Sequence, residues 1–170
     1  MLIEDLFELS KANSGSVTVQ KERMDICHLL RQVYLEYEDK AKEADLTFRF
    51  ELPDEKVYGM LDSEKTYRIF DNLYTNIVKY AMPGTRVYVR VYLQETDAFI
   101  EMKNISGTEL NVPPERLTER FVRGDSARSS EGSGLGLAIA KTLAELQGGR
   151  MEIAVDGDLF KVTLIWKQQS

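Results

Sequence analysis

The run Gly132-Ser133-Gly134-Leu135-Gly136-Leu137 restricts the local fold more than any other stretch of the chain. Glycines at alternate positions let the backbone approach an anion closely, because no Cβ blocks the approach and a positive φ carries no steric cost. Apolar residues then recur at helical spacing from Ala138 to Leu146, and Gly148-Gly149 predict the end of that helix. Since a helix N-terminus presents unpaired N–H groups, the run predicts a phosphate-binding turn. The alternative is a glycine-rich turn that serves only as a connection.

A second predicted helix, from Ser63 to Tyr80, carries an unusual polar arc. Ser63 is the predicted N-cap, and the apolar residues of the helix lie on one stripe. At 100° per residue, Asn72, Asn76 and Lys79 share one arc away from that stripe, and Tyr80 borders it. An amide oxygen suits Mg²⁺, and a lysine suits a phosphate as a point charge. The alternative is that the two amides are solvated or cap a neighbouring loop.

Together the two motifs resemble the catalytic and ATP-binding domain of sensor histidine kinases, within the larger class shared with gyrase, Hsp90 and MutL ATPases. Asn72 to Tyr80 is similar to the N box, Glu119 to Asp125 to the F box, and Gly132 to Lys141 to the G2 box. The resemblance covers roughly residues 20 to 168. It implies the Bergerat ATP-binding fold, with ATP and Mg²⁺ as ligands.

The resemblance also implies a set of nucleotide-binding residues. Asn76 corresponds to the Mg²⁺ ligand, and Asn76, Lys79 and Arg123 are the predicted catalytic residues, with Arg123 beside the γ-phosphate. The alternative for Arg123 is a solvated loop position in a segment, Glu119 to Ser133, that we expect to form a mobile lid. The full predicted set is Asn72, Asn76, Lys79, Tyr80, Asn104, Ser106, Phe121, Arg123, Gly132, Gly134, Leu135, Gly136 and Leu137.

The sequence departs from the family in one box. Where an Asp-x-Gly-x-Gly usually occurs, this chain has Asn104-Ile105-Ser106-Gly107-Thr108. Strand alternation places Asn104 at the position of the aspartate that, in the family, accepts a hydrogen bond from the adenine amino group. Asn104 can accept the same bond without charge assistance, so we expect adenine recognition to be weaker by about 1 kcal/mol. Moving Gly107 into a glycine position would break that alternation.

The rest of the chain predicts a two-layer α/β sandwich. Alternating segments at Leu46–Leu52, Val87–Leu93 and Phe99–Lys103, and a hairpin around Asp156-Gly157, predict a mainly antiparallel, mixed sheet of about five strands with three main helices on one face. Val17–Val19 is a predicted edge strand, and Asp25 a predicted cap of one long helix running to Ala44. By resemblance, residues 1–14 are a remnant of the dimerisation domain and residues 15–170 the catalytic domain.

Composition excludes several other classes. A net charge of −6 without a basic run argues against nucleic-acid binding, and the single cysteine, Cys27, excludes an intrachain disulfide. No apolar run is long enough to span a bilayer, so we expect no direct membrane contact. The expected location is cytoplasmic, and the resemblance implies a membrane-anchored parent protein.

The choice of reaction depends on position 72. In hydrolysing relatives a glutamate there acts as general base, whereas Asn72 cannot take a proton, which argues against a clamp or chaperone ATPase. His28 lacks the sequence around the family's phosphoacceptor, so it is predicted to be a partly buried structural residue. The first hypothesis is therefore a phosphoryl-transfer domain whose partners are a histidine-bearing dimerisation domain and a response regulator. The second is a catalytically weak nucleotide-binding sensor or scaffold.

Overall fold

The computed structural model describes residues 10, 18–110, 113, 116–117 and 135–169. This part of the chain forms seven strands and four helices. In order they are β1 (Glu22–Asp25), α1 (Ile26–Leu35), α2 (Glu38–Glu43), β2 (Leu46–Glu51), β3 (Tyr58–Leu61), α3 (Ser63–Tyr80), β4 (Thr85–Gln94), β5 (Asp97–Ile105), α4 (Gly136–Leu146), β6 (Arg150–Asp156) and β7 (Leu159–Lys167).

The main sheet has five strands in the order β2-β4-β5-β7-β6. Strands β2 and β4 are parallel, and the other neighbouring pairs are antiparallel, as predicted. The predicted hairpin is confirmed: Asp156 pairs with Leu159, and Gly157 in the turn has a φ of 62°, which glycine adopts without strain.

The core lies between this sheet and the helices. Alternate residues of the central strands, among them Val89, Ile100 and Leu164, are fully or almost fully buried. They form one apolar cluster with the buried stripes of α1, α3 and α4. The apolar residues that recur every two positions in the strands and about every 3.6 positions in the helices therefore line a single interior. This confirms the predicted sandwich.

The predicted long helix after Asp25 is wrong beyond Leu35. Asp25 does cap α1, since its side chain accepts a hydrogen bond from the His28 amide. The chain then turns at Glu36 and Tyr37 before α2 begins. This turn lets the Tyr37 hydroxyl reach α3, where it bonds Thr75 Oγ1 at 2.7 Å and the Asp71 carboxylate. A long-range contact of this kind leaves no trace in local periodicity.

Three smaller expectations also need correction. The N-cap of α3 is Asp62, not Ser63, because the Asp62 side chain accepts from the Lys65 amide. Thr18 and Val19 are not in a strand, and Val17 lies outside the described residues. His28 is exposed, not partly buried, on the first turn of α1.

The sequence reading also missed the small antiparallel sheet of β1 and β3. Each of these strands has only four residues, which is too short for alternation to stand out.

The predicted end of α4 at Gly148-Gly149 is confirmed. Gly148 has a φ of 84°, and a Cβ at Gly149 would overlap the Trp166 indole.

Candidate nucleotide site

The polar arc of α3 forms as the helical spacing predicted. Asn72 is almost fully buried, Asn76 and Tyr80 are half-buried, and Lys79 is exposed near the helix end. Within the described residues, the Asn72 Nδ2 is buried and has no hydrogen-bond partner. An unpaired buried amide costs about 1–3 kcal/mol, so a ligand that accepts from Nδ2 would recover that cost.

The end of β5 lies against the end of α3. The Gly107 amide donates to the Tyr80 carbonyl at 2.8 Å, and the Met82 amide donates to the Ile105 carbonyl at 2.7 Å. A β-bridge between Ala81 and Ser106 lies between these two bonds. The predicted adenine box is therefore fixed directly to the helix that carries the amides.

Asn104 lies on the helix-facing side of β5, as its alternation with Met102 predicted. It is 4% exposed, and its Oδ1 is buried without a hydrogen-bond partner in the described part of the chain. A buried acceptor of this kind can be satisfied by an amino group of a bound base. Asn104 and Asn72 thus provide an unpaired acceptor and an unpaired donor on two neighbouring elements.

Ser106 has a local role in the same loop. Its hydroxyl donates to the Thr108 carbonyl at 2.6 Å and accepts from the Thr108 amide at 3.2 Å. Its own amide donates to the Asp158 carbonyl at 2.7 Å. The side chain therefore holds the turn after β5. The backbone of the neighbouring Gly107 approaches the end of α3 closely, since a Cβ at this position would lie 3.4 Å from the Tyr80 oxygen. Gly107 is not among the site residues predicted from the sequence.

Helix α4 begins beside Asn72. A Cβ on Gly136 would lie 3.9 Å from the Asn72 Cβ, and Leu135, the N-cap residue, is fully buried. Leu135 makes no side-chain cap bond, and the first turn of α4 has no acidic residue. Leu137 packs partly buried against the core. The start of α4 therefore places a positive helix end without an acidic residue beside an amide, an arrangement that suits a phosphate.

A neighbouring face of α3 is held by a separate polar group. The Tyr37 hydroxyl bonds Thr75 and Asp71, and Arg68 pairs with Asp71 at 3.4 Å. Burial of the ring and the hydrogen bond to Asp71 raise the pKa of Tyr37 well above its usual range. The phenol stays neutral at any physiological pH and holds α3 against the turn after α1.

Four predicted site residues, Phe121, Arg123, Gly132 and Gly134, lie outside the described residues, as does the predicted lid from Glu119 to Ser133. For metal binding, no group of three or more His, Cys, Asp or Glu side chains occurs in the described part of the chain. A half-buried amide such as Asn76 fits a Mg²⁺ ion that is otherwise held by phosphates and water, which is how Mg²⁺ is commonly bound with nucleotides.

Comparison with known proteins decides the family. Residues 61–169 match the model of the histidine kinase-, DNA gyrase B- and HSP90-like ATPase family, HATPase_c. The chain belongs to the HATPase_c family. The matched residues include α3, the end of β5 and α4, the elements that form the site.

Relatives of this HATPase_c domain are sensor kinases. It is 32% identical over 156 residues to the sensor protein kinase WalK of Staphylococcus haemolyticus, covering 88% of the chain and 25% of WalK. The chain thus spans about a quarter of the length of this curated relative. The family resemblance read from the sequence is confirmed, and the domain is of the type found as the catalytic domain of sensor histidine kinases.

Solved structures show the same fold. The mycobacterial sensor histidine kinase MprB aligns with a TM-score of 0.72 at 26% identity, covering 87% of this chain and 99% of that one. Full-length ShkA in complex with AMPPNP aligns with a TM-score of 0.81 at 22% identity, covering 99% of this chain and 35% of that one. Among the described residues, no helix is both long enough and apolar enough to cross a membrane.

Proposed function

We propose that this HATPase_c domain binds ATP with Mg²⁺ and donates the γ-phosphate to a histidine on a separate dimerisation domain. The observation that carries the proposal is the pair of buried, unpartnered amide atoms, Asn72 Nδ2 and Asn104 Oδ1. Asn72 lies in the middle of α3 beside the start of α4, and Asn104 lies on β5, which is bonded to the end of α3. A ligand with an amino group at one end and phosphates at the other satisfies both kinds of group.

Each site residue has a proposed role. The Asn104 oxygen accepts from the adenine amino group, and Tyr80 lies beside the base. Asn76 holds Mg²⁺ together with the phosphates, while Asn72 and Lys79 bind phosphate oxygens. The backbone from Leu135 to Leu137 receives the phosphates at the helix end. For Phe121, Arg123, Gly132 and Gly134 the proposal rests on the family's motifs alone.

The reaction requires an acceptor outside this chain. Asn72 cannot deprotonate water, so the bound nucleotide is protected from hydrolysis until a histidine reaches it. Arg123 stabilises charge on the γ-phosphate as it is transferred. His28 is exposed in the first turn of α1 but lacks the sequence that surrounds the family's phosphoacceptor, so we assign it no part in the transfer.

We propose the remaining assignments on the same basis. Residues 1–14 end a dimerisation domain, residues 15–170 form the catalytic domain, and a response regulator receives the phosphate in two-component signalling. The likeness to the sensor protein kinase WalK supports the kinase assignment. The domain works in the cytoplasm, in a parent protein anchored in the membrane.

One observation favours a second candidate, a nucleotide-binding sensor or scaffold. Asn104 is neutral, so the base is held without the charge assistance that an aspartate supplies. Such a domain would bind ATP weakly and transfer nothing.

Transfer in trans distinguishes the two functions. The chain is mixed with Mg²⁺, labelled ATP and the matching dimerisation domain, and label on the acceptor histidine is measured with the parent and with Arg123→Ala. We expect no stable label on the chain alone, label on the dimerisation domain, and a larger loss of transfer than of ATP binding in the variant. ATP binding without any transfer would support the sensor, and stable label on His28 would contradict the assignment of that residue.

A further inference from the structure

The two helices of the nucleotide site are joined at their far ends by a buried glutamine. Gln147, directly after α4, accepts hydrogen bonds from the Asp62 amide at 2.7 Å and from the Thr66 hydroxyl at 3.3 Å. Its Nε2 donates to the Leu143 carbonyl of α4 at 3.2 Å. Gln147 is 3% exposed and Thr66 is fully buried. We call this set of bonds the Gln147 clip.

Asp62 completes the clip. Its carboxylate caps α3 at the Lys65 amide, accepts from the Gln20 amide at 2.9 Å and pairs with the Lys65 ammonium at 3.5 Å. Burial alone would raise the pKa of Asp62, but these bonds from Gln20 and Lys65 outweigh it and lower the pKa. The start of α3, the end of α4 and the segment that enters the domain at Gln20 are thus bonded together.

The clip lies at one end of a helix pair whose other end is the site. Ten residues separate Asp62 from Asn72, and eleven separate Gln147 from Gly136, so each helix spans about 15 Å between clip and site. Gly136 lies against Asn72 at the site end. Both helices are rigid over this length. The clip therefore sets how far α4 lies along the axis of α3, and with it the position of the α4 start relative to the amides of α3.

We propose that Gln147 is a positioning residue for the phosphates of the bound nucleotide, an inference that rests on the proposed function. The buried residues of α4 are Ala138, Ile139, Ala140, Leu143 and Ala144. Apolar packing is non-directional, whereas the bonds of Gln147 are directional and buried. The clip fixes the start of α4 opposite Asn72 and Asn76, where a shift of about 1 Å would spoil phosphate contacts.

The adenine end of the site does not depend on the clip. Asn104 is on β5, which is bonded to the end of α3 through Gly107 and Tyr80. Loss of the clip frees α4 to move relative to α3 and β5 together. The clip therefore positions the phosphates and not the base. Separate measurements of phosphate binding and base binding can test this.

The test compares ligands in variants of Gln147. Gln147→Met keeps the length of the side chain and removes its hydrogen bonds, and Gln147→Glu keeps the oxygen that accepts from Asp62 and Thr66. Mg-ATP binding is measured by calorimetry and adenosine binding by NMR titration, each well below the melting temperature of the variant. We expect Gln147→Met to weaken Mg-ATP about tenfold with adenosine unchanged, and Gln147→Glu to recover most of the loss.

A matched control removes a cap elsewhere. Asp25→Ala deletes the aspartate cap of α1, whose carboxylate accepts from the His28 amide, and should lower the melting temperature without changing Mg-ATP affinity. If Gln147→Met fails to fold, Thr66→Val removes one bond of the clip and should weaken Mg-ATP in the same direction, with Thr66→Ser retaining affinity.

The proposal is overturned if Gln147→Met destabilises the domain but leaves Mg-ATP affinity unchanged, or if Mg-ATP and adenosine lose affinity equally. Failure of the proposed function looks different, because then the parent itself shows no Mg-dependent ATP binding.

Discussion

The two ends of the α3–α4 pair contain the same kind of side chain in opposite states. At the clip end, the amide of Gln147 is buried and bonded to Asp62, Thr66 and Leu143. At the site end, an amide atom of Asn72 on α3 is buried without a partner in the described residues, as is one of Asn104 on β5. A bonded buried amide holds two elements in place, whereas an unbonded one retains its bonding capacity at a cost in stability. The bonded amide therefore has a structural role at the clip end, and the unbonded amide is available for a ligand at the site end.

Helix starts show the same contrast. Helices α1 and α3 begin with Asp25 and Asp62, whose carboxylates accept from backbone amides. Helix α4 begins with Leu135, which has no side-chain acceptor, and lacks an acidic residue in its first turn. A carboxylate there would compete with a phosphate, so an apolar residue at this position favours an anion from outside the chain.

The largest expected effect is at Asn76. Asn76→Ala should weaken ATP binding in Mg²⁺ about a hundredfold and remove most of its dependence on Mg²⁺, because a metal ligand is lost. Calorimetric titrations with and without Mg²⁺ measure both. Tyr67→Phe is a matched control, since Tyr67 bonds Glu36 and lies about 180° around α3 from Asn76, so affinity should be unchanged. Equal Mg-dependent binding in Asn76→Ala and the parent would remove Asn76 from the site.

The two aspartate caps sharpen the comparison of the helix ends. We expect Asp62→Ala to lower the free energy of unfolding by about 2 kcal/mol or more, and Asp25→Ala by about 1 kcal/mol. Both lose a cap bond, but Asp62 also bonds Gln20 and Lys65. Urea unfolding followed by circular dichroism measures the difference. Equal losses would mean that the bonds beyond the cap contribute nothing.

Asp62 also predicts a dependence on pH. Its pKa is lowered in the folded state, so the ionised carboxylate contributes stability that is present above its unfolded pKa, near 3.9. That contribution is lost as the pH falls through the lowered folded value. The difference in unfolding free energy between the parent and Asp62→Asn should therefore be constant from about pH 5 to pH 7 and shrink below about pH 4. A difference that grows in acid would contradict this sign.

Sequence reasoning predicted the elements whose determinants are local. The bounds of α3 and the positions of the five main strands follow from periodicity, although β4 and β5 extend about two residues beyond the predicted segments at some ends. Helical geometry placed Asn72, Asn76 and Lys79 on one arc. What it missed depends on distant contacts: the turn before α2 follows from Tyr37 reaching Thr75, and Gln147 lies 85 residues from Asp62. The unequal burial of Asn72 and Asn76 likewise follows from the packing of α4 against α3, which no local pattern contains.

The smallest expected effect is at Asn104, and it tests what an unpaired neutral amide does for a base. Asn104→Asp should strengthen ATP binding about fivefold, because a carboxylate accepts the adenine amino hydrogen with charge assistance.

The affinities of the parent and of Asn104→Asp should differ more with inosine triphosphate, which has a keto oxygen in place of that amino group. Asn104 can rotate to present its NH₂ to the oxygen, whereas an aspartate has only acceptors. The ratio of ATP to inosine triphosphate affinity should therefore be larger in Asn104→Asp than in the parent, as measured by competition for a fluorescent ATP analogue. Asn104→Ala is the control, since it should weaken ATP and reduce the ratio towards one. An unchanged ratio in both variants would mean that the unpaired oxygen of Asn104 does not face the base.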